Sequence, residues 1–307
     1  MTDSPKNVVA SVLARLRNLA KAEGLSFNDV LQSYVIERFL ARLAQSPQAD
    51  SVLLKGALML RVWGVPRARP TMDIDLLRRG AADQASLVKL VEQSARMAAA
   101  TDGVSFDAST IIAEVIRDET EYVGTRIRLQ ARMDNVRQTV QIDFGVGDAV
   151  YPKASLVEYP VLLGRTPVKL MAYPVEASIA EKFQAMVELD LRNSRMKDFY
   201  DIWILSRTLS FDLQTLSHAI RATFARRQTP IPTVAPVALT VKFFGDPNHQ
   251  QQWAAFARRI GAIELSDQFA DIAAGIESFL MPAAVMAAKG GRDAANWAPT
   301  GPWIGHP

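Results

Sequence analysis

The sequence predicts an α+β fold: helices first, a small mixed or antiparallel sheet in the middle, and a helical C-terminal region. Three observations carry this. Residues 7–20 place Val8, Val9, Val12, Leu13, Leu16 and Leu19 at helical spacing. Residues 125–145 switch to alternation, with Ile127, Leu129, Ala131 and Met133 on one face and Val140, Ile142 and Phe144 on another. Between them Asp134-Asn135 sits where a hairpin turn belongs. After Pro174 the helical period returns in Val175, Ile179, Phe183 and Met186.

Taken in order, the elements follow from local chemistry. Ser26 to Asp29 read as the cap of a second helix, whose Val30, Leu31, Tyr34, Val35 and Phe39 recur every three or four residues until Pro47 ends it. Residues 1–50 are thus a helical lead-in. "SVLLKG" is a short apolar strand ending on glycine, "ALMLRVWG" can make two helical turns, "VPRARP" is a turn and "TMDIDLL" a strand. A helix over roughly 82–100 follows, rich in Ala, Leu, Val, Lys and Glu. Residues 156–173 add one or two short strands after the hairpin and close a core spanning 51–173. "RMKDFYDIWILSRTL" begins a further helix, and two or more helices fit between 211 and 286, so 174–286 is a helical domain. Residues 287–307, rich in Gly and Pro, read as an extended tail docked by Trp297 and Trp303.

Composition removes several chemistries. The 307 residues contain no cysteine, which excludes thiol catalysis, cysteine-zinc sites and disulfides and fits a reducing, cytoplasmic setting. Only three histidines occur, His218, His249 and His306, too dispersed for a histidine-rich metal site or a serine-histidine triad. A net charge of +3 permits a nucleic-acid partner without demanding one. The N-terminus lacks the apolar stretch of a signal peptide, and no run approaches eighteen apolar residues, so no membrane partner is expected.

The chemistry concentrates around "RARPTMDIDLLRRG". Residues i and i+2 of a strand point the same way, so Asp73 and Asp75 share one face while Met72, Ile74 and Leu76 take the other. Two such carboxylates repel unless a cation lies between them, and a hard divalent cation answers with oxygen ligands. Asp143 stands among Val140, Ile142 and Phe144 on the opposite face of its strand, where a neighbouring strand could bring it beside the pair. Three carboxylates so placed could hold two Mg2+ ions, or Mn2+ in their stead, roughly 3.5–4 Å apart. A lone D-x-D is more often a solvated strand face or an arginine-paired edge. Context raises the metal reading here, because Lys55-Gly56 ends a strand upstream and opens a short helix whose amides can approach a phosphate.

Four motifs then occur in one order. "LLKGALMLRVWGVPRARPTMDIDLL" sets Pro66-Arg67 and Arg69-Pro70-Thr71 ahead of Asp73 and Asp75. "VQIDFGVGD" holds Asp143, "IAEKFQAM" holds Lys182, and "RMKDFYDI" spells R-x-K-D-x-x-D. Over roughly residues 50–205 this resembles the polymerase-beta nucleotidyltransferase superfamily and, more narrowly, the AbiEii/AbiGii toxin family, which includes the MenT-type toxins. The resemblance implies a nucleotidyltransferase fold and a metal-dependent toxin of a toxin–antitoxin system. Such an enzyme moves NMP from NTP to an acceptor hydroxyl, for MenT-type members the tRNA 3′ end, and a cognate antitoxin is a further implied partner. It implies catalytic roles for Asp73, Asp75, Asp143, Lys182 and Asp198, with the first three as metal ligands. It also implies nucleotide contacts from Lys55, Gly56, Ala57, Arg67, Arg69, Thr71, Lys197 and Asp201. Ala57 departs from the Gly or Ser common there, so a hydroxyl contact to phosphate is lost.

The basic residues are more ambiguous in the sequence itself. Lys182 lies beside the apolar stripe of its helix, where it can bury its stem and aim its ammonium at an anion, or pair with Glu181 or another acid. Arg195, Asp198 and Asp201 recur at three-residue intervals near one helix face, as ordinary ion pairs or as groups that orient Lys182. Arg61, Arg67 and Arg69 could contact phosphate. Arg126, Arg128 and Arg132 alternate along one strand face and read first as solvated charge. "DFG" at Asp143 lacks the other kinase signatures, "GVGDAV" lacks the third glycine of a dinucleotide fingerprint, and Trp253, Phe256, Arg258 and Arg259 fit a core helix with a solvated face. A nucleotide-binding regulator with little turnover and a plain nucleic-acid-binding protein are the alternatives to the enzyme.

Overall fold

The computed structural model describes residues 5–66, 68–80, 83–98, 102–117, 123–291 and 293–305. The chain divides into two compact units. The first comprises Met1–Val62, Ala68–Gly147 and Ser155–Ala172; the second comprises Trp63–Arg67, Asp148–Ala154 and Tyr173–Pro307.

In the first unit, helices α1 (Pro5–Glu23) and α2 (Phe27–Leu43) form the lead-in. They are followed by β1 (Val52–Lys55), α3 (Met59–Val62), β2 (Asp73–Arg78) and α4 (Gln84–Arg96). The remaining strands are β3 (Ser105–Arg117), β4 (Val123–Met133), β5 (Val136–Val146), β6 (Ser155–Tyr159) and β7 (Val168–Ala172). They build one seven-stranded mixed sheet in the order β3-β4-β5-β2-β1-β7-β6. The pairs β2/β5 and β1/β7 are parallel and the others antiparallel. The alternation anticipated for 125–145 is present: Ile127, Leu129, Val140, Ile142 and Phe144 are all buried, and Asp134 makes the turn with φ 54°. Buried Gln32 of α2 donates through Nε2 to the carbonyls of Met72 (3.2 Å) and Thr139 (3.1 Å), so one side chain ties the approaches to β2 and β5 together.

Some boundaries differ from expectation. The helix expected over 82–100 is α4, begun by Asp83, whose carboxylate accepts from the Ser86 amide at 2.7 Å. "ALMLRVWG" makes a 3-10 turn and then a single α-helical turn. Strand β3 had no counterpart in the sequence reading. It is an edge strand, its register slips between Asp107 and Ile112, and Ile112 and Val115 face outward, so no apolar alternation marks it.

The second unit holds α5 (Val175–Leu189), α6 (Met196–Thr208), β8 (Phe211–Asp212), α7 (Leu213–Arg226), α8 (Val241–Phe244) and α9 (Pro247–Arg259). It ends in α10 (Phe269–Lys289), β9 (Ala295–Trp297) and β10 (Trp303–Gly305). Its core is aromatic: Trp253 stacks on Phe269, and Phe199 stacks on Phe243. Trp253 and Phe256 are buried while Arg258 and Arg259 are exposed, as the spacing suggested. Alone among the described helices, α10 is long and apolar enough to cross a membrane, yet its Ile272, Ile276, Phe279 and Leu280 are buried inside this unit. The expected extended tail is more ordered than predicted. α10 runs to Lys289, and β9 then pairs with both β8 and β10 in a three-stranded sheet. Trp297 and Trp303 do dock it, donating through Nε1 to the carbonyls of Ser206 (2.6 Å) and Phe279 (2.9 Å).

Candidate functional site

The first unit gathers the predicted carboxylates by strand register. In the parallel pair β2/β5, Asp75 lies opposite Asp143 and Asp73 opposite Gln141. Opposed residues share a face, and Asp73 and Asp75 share it by alternation. Lys55 of β1 lies opposite Asp75, Arg126 of β4 opposite Asp143, and Glu114 of β3 opposite Arg126. One row of charge therefore crosses five strands: Lys55, Asp75, Asp143, Arg126, Glu114. The faces behind it are closed by buried Leu54, Ile74, Ile142 and Ile127, so these charges line the polar side of a sheet packed on its other side.

Arg126 is the residue whose role the sequence reading missed. Its Nε and Nη2 donate to the two oxygens of Asp143 at 2.8 and 2.7 Å, a bidentate pair that holds the guanidinium above its ordinary pKa. The signal was present: seven residues back from Met133 and seven on from Val136, across the hairpin turn, lie Arg126 and Asp143. Arg128 is similarly engaged, with Gln141 (2.9 Å) and Glu114 (2.8 Å).

Gly56 has φ +71°, and a Cβ placed there would lie 1.9 Å from Asp75 Oδ2. The glycine is thus needed both for its left-handed backbone and because the Asp75 carboxylate packs against its Cα. Ala57 is buried and Lys55 is half-buried at the strand end. The Asp73 amide donates to Thr71 Oγ1 at 3.4 Å, and Arg69 is half-buried. Arg67 lies outside the described residues. Among the described residues, no three His, Asp or Glu side chains converge as a group able to hold a metal. The donor set at Asp73 and Asp75 still suits a hard divalent cation, with two carboxylates on one face of one strand. Both oxygens of Asp143 already accept from Arg126, which competes there with a cation.

In the second unit Lys182 is not a simple helix-flank lysine. Its Nζ lies 2.8 Å from Asp198 Oδ1 and 2.8 Å from Asp201 Oδ2, and both aspartate side chains are only 1% exposed. Arg195 Nε donates to the other oxygen of Asp198 at 2.7 Å. Burial pushes the Asp198 pKa up, but Lys182, Arg195 and Lys197 outweigh it and hold that carboxyl well below the usual carboxylate range. Asp198 and Asp201 of the R-x-K-D-x-x-D motif thus both contact the Lys182 ammonium and Arg195 braces Asp198, while Lys197 itself is exposed on the first turn of α6. A second buried network escaped the sequence reading. Tyr173 donates to Glu181 at 2.5 Å, and Arg227 bonds Asp148 (3.2 Å) and Gln184 (2.8 Å) while lying 3.7 Å from Glu181. Burial, with Glu181 and Asp148 close by, raises the Tyr173 phenol far above its usual value. Its members come from three separate segments, which no local spacing links.

Two solved Helicobacter pylori structures are similar to the chain at 14% and 13% identity, the first described as a candidate nucleotidyltransferase and the second as JHP933. Each alignment covers 87% of this chain, and 97% and 94% of those chains, with TM-scores of 0.48 and 0.49. No curated protein matches. The model of the nucleotidyl transferase AbiEii toxin family, of type IV toxin–antitoxin systems, matches residues 38–275. That span takes in the carboxylate row, Lys182 and the aspartates that hold it, and the chain belongs to the AbiEii family of nucleotidyltransferase toxins.

Proposed function

We propose that this chain uses a divalent cation to transfer NMP from an NTP to an RNA hydroxyl, the tRNA 3′ end being the acceptor that the MenT-type resemblance favours. The observation that carries the proposal is the register of Asp75 against Asp143, with Asp73 on the same face and Gly56 packed beside Asp75. Magnesium, or manganese in its place, would be held by Asp73, Asp75 and Asp143 and would neutralise charge on the transferring phosphoryl group. Gly56, Ala57 and the amides after them seat the phosphates, with Lys55, Arg67, Arg69 and Thr71 as further nucleotide contacts. Lys182, oriented by Asp198 and Asp201, offsets the charge of the triphosphate, and Lys197 adds to that field. The acceptor oxygen bonds to the α-phosphorus, the bond to the β-phosphate oxygen breaks, pyrophosphate leaves, and the hydroxyl proton passes to water. The reading implies a cytoplasmic reaction and a cognate antitoxin that restrains it.

The test is incubation with each labelled NTP, magnesium or manganese, and total tRNA, followed by sequencing of the labelled RNA ends. Label should join RNA with the wild-type chain and be lost in D73A/D75A. Label retained in that double variant would sink the metal assignment. A second reading, a nucleotide-binding regulator with little turnover, is favoured by the Arg126–Asp143 pair, which occupies the third carboxylate. Nucleotide binding without any transfer to RNA would select it.

A further inference from the structure

A concave site in the first unit shares no residue with the carboxylate row. It is a cleft of about 560 Å³ lined by Arg38 of α2, Asp102, Gly164, Arg165, Thr166 and Lys169 among others. Its floor holds a poorly compensated cation. Arg38 is 6% exposed, and its Nε and Nη2 are shut off from water with no hydrogen-bond acceptor among the described residues. Its nearest described carboxylate oxygen is Glu37 Oε2, 4.0 Å from Nη2. Glu37 is already committed, accepting the Leu162 amide at 2.9 Å and facing Arg61 at 3.4 Å, and burial pushes its pKa up to about 7. Asp102, the carboxylate in the lining, is bound through both oxygens by Arg42 at 2.9 and 3.2 Å. The Tyr34 ring stands between two guanidiniums, Arg38 at 5.4 Å and Arg165 at 5.9 Å from its centroid. Lys169 adds an exposed ammonium, paired among the described residues with the similarly exposed Glu158 at 3.5 Å.

A buried guanidinium with unsatisfied N–H groups, beside an open cleft with further cations, favours an anion. Two guanidiniums and an ammonium suit a polyvalent, tetrahedral anion better than a single carboxylate. We propose that this cleft is a phosphate-binding site, with Arg38 as its buried floor and Arg165 and Lys169 at its mouth. The phosphate comes either from an RNA backbone or from a free nucleotide or pyrophosphate. The proposal does not depend on the transfer reaction.

The test uses the full chain with pyrophosphate, ATP and a single-stranded RNA oligonucleotide in EDTA, so that the carboxylate row takes no metal-bound phosphate. Wild type, R165Q and K169Q are compared by calorimetry at fixed ionic strength, and R38M by thermal melting. At least one probe should bind wild type, lose about tenfold in affinity in R165Q and lose less in K169Q, where the charge is exposed. Loss for RNA alone identifies a backbone phosphate; loss for pyrophosphate and ATP identifies a free one. R38M should melt no lower than wild type without a probe, since it removes a poorly compensated buried charge, yet lose the rise in melting temperature that the probe induces. Label transfer to saturating acceptor should be unchanged in R165Q and K169Q. Unaltered affinity for all three probes in both variants would overturn the proposal, as would binding of a polyglutamate peptide where no phosphate probe binds.

Discussion

Replacing Gly56 by alanine tests the link between the strand-to-helix turn and Asp75. At φ +71° an L side chain costs about 1–2 kcal/mol in backbone strain. The new Cβ would also lie 1.9 Å from Asp75 Oδ2, 2.6 Å from its Cγ and 2.8 Å from its Cβ. Because the Asp75 Cβ is itself too close, turning the carboxylate does not clear the clash and β2 must shift, adding about 1–3 kcal/mol of overpacking. G56A should therefore destabilise the first unit by about 2–5 kcal/mol and displace Asp75 from the row. Urea unfolding followed by far-UV circular dichroism reads the cost. Tryptophan fluorescence serves as an internal control, since all five tryptophans belong to the second unit. In a D75A background the cost of G56A should fall only in part, since the carboxylate is gone but the Cβ 2.8 Å away remains. A G56A protein within about 0.5 kcal/mol of wild type, which is the spread of neutral surface changes, would refute the reasoning. So would a cost that D75A leaves undiminished.

Three further outcomes are expected. R126Q removes the resident counter-cation of Asp143; the pair is partly exposed, so stability should fall by only about 1 kcal/mol. Manganese affinity, read by electron paramagnetic resonance, should rise; an unchanged or weaker affinity would count against competition for Asp143. K182M leaves Asp198 and Asp201 buried with one fewer cation and should cost about 3–5 kcal/mol at pH 7 by tryptophan fluorescence. The depressed Asp198 carboxyl contributes stability above the ordinary carboxylate range that fades as pH falls below it, so the K182M deficit should shrink in acid, and a deficit independent of pH would contradict the assignment. Glu37 has the opposite sign. Its pKa is raised from 4.5 to about 7 by burial against the opposing pull of the Leu162 amide, Arg61 and Arg38, so the fold holds its proton where the unfolded chain has released it. Stability present below pH 4.5 is therefore lost as pH rises through about 7, by up to about 3 kcal/mol. Wild type should weaken across that window relative to E37Q in urea titrations at pH 5 and 8, and a constant difference would exclude the effect.

Much of the site could be read along the chain because alternation is a local property. The face shared by Asp73 and Asp75, the hairpin about Asp134, and the helices of Lys182 and Asp198 all followed from spacing and are present. Arg126 was legible in principle from the hairpin register but looked like any outward strand arginine. Edge strand β3 was not legible, since its slipped register and outward Ile112 and Val115 leave no buried stripe to detect. The tail strands were hidden for a related reason. β8, β9 and β10 are two or three residues long and draw their stability from Trp297 and Trp303 docked on Phe279, a contact between distant segments.

By itself the sequence determined the main helices, the central hairpin and the D-x-D strand, which carboxylates face together within a strand, and which motifs follow one another. Each of these depends on side-chain periods within a few residues. Only the tertiary structure decided that β5 runs parallel beside β2, so that Asp143 meets Asp75. It alone decided that Lys182 sits between two buried aspartates, and that Arg38 is sealed with two of its own nitrogens lacking an acceptor among the described residues. Strand order and buried charge pairing are set by long-range packing against a common core. No local period encodes which distant residue will fill the opposite place.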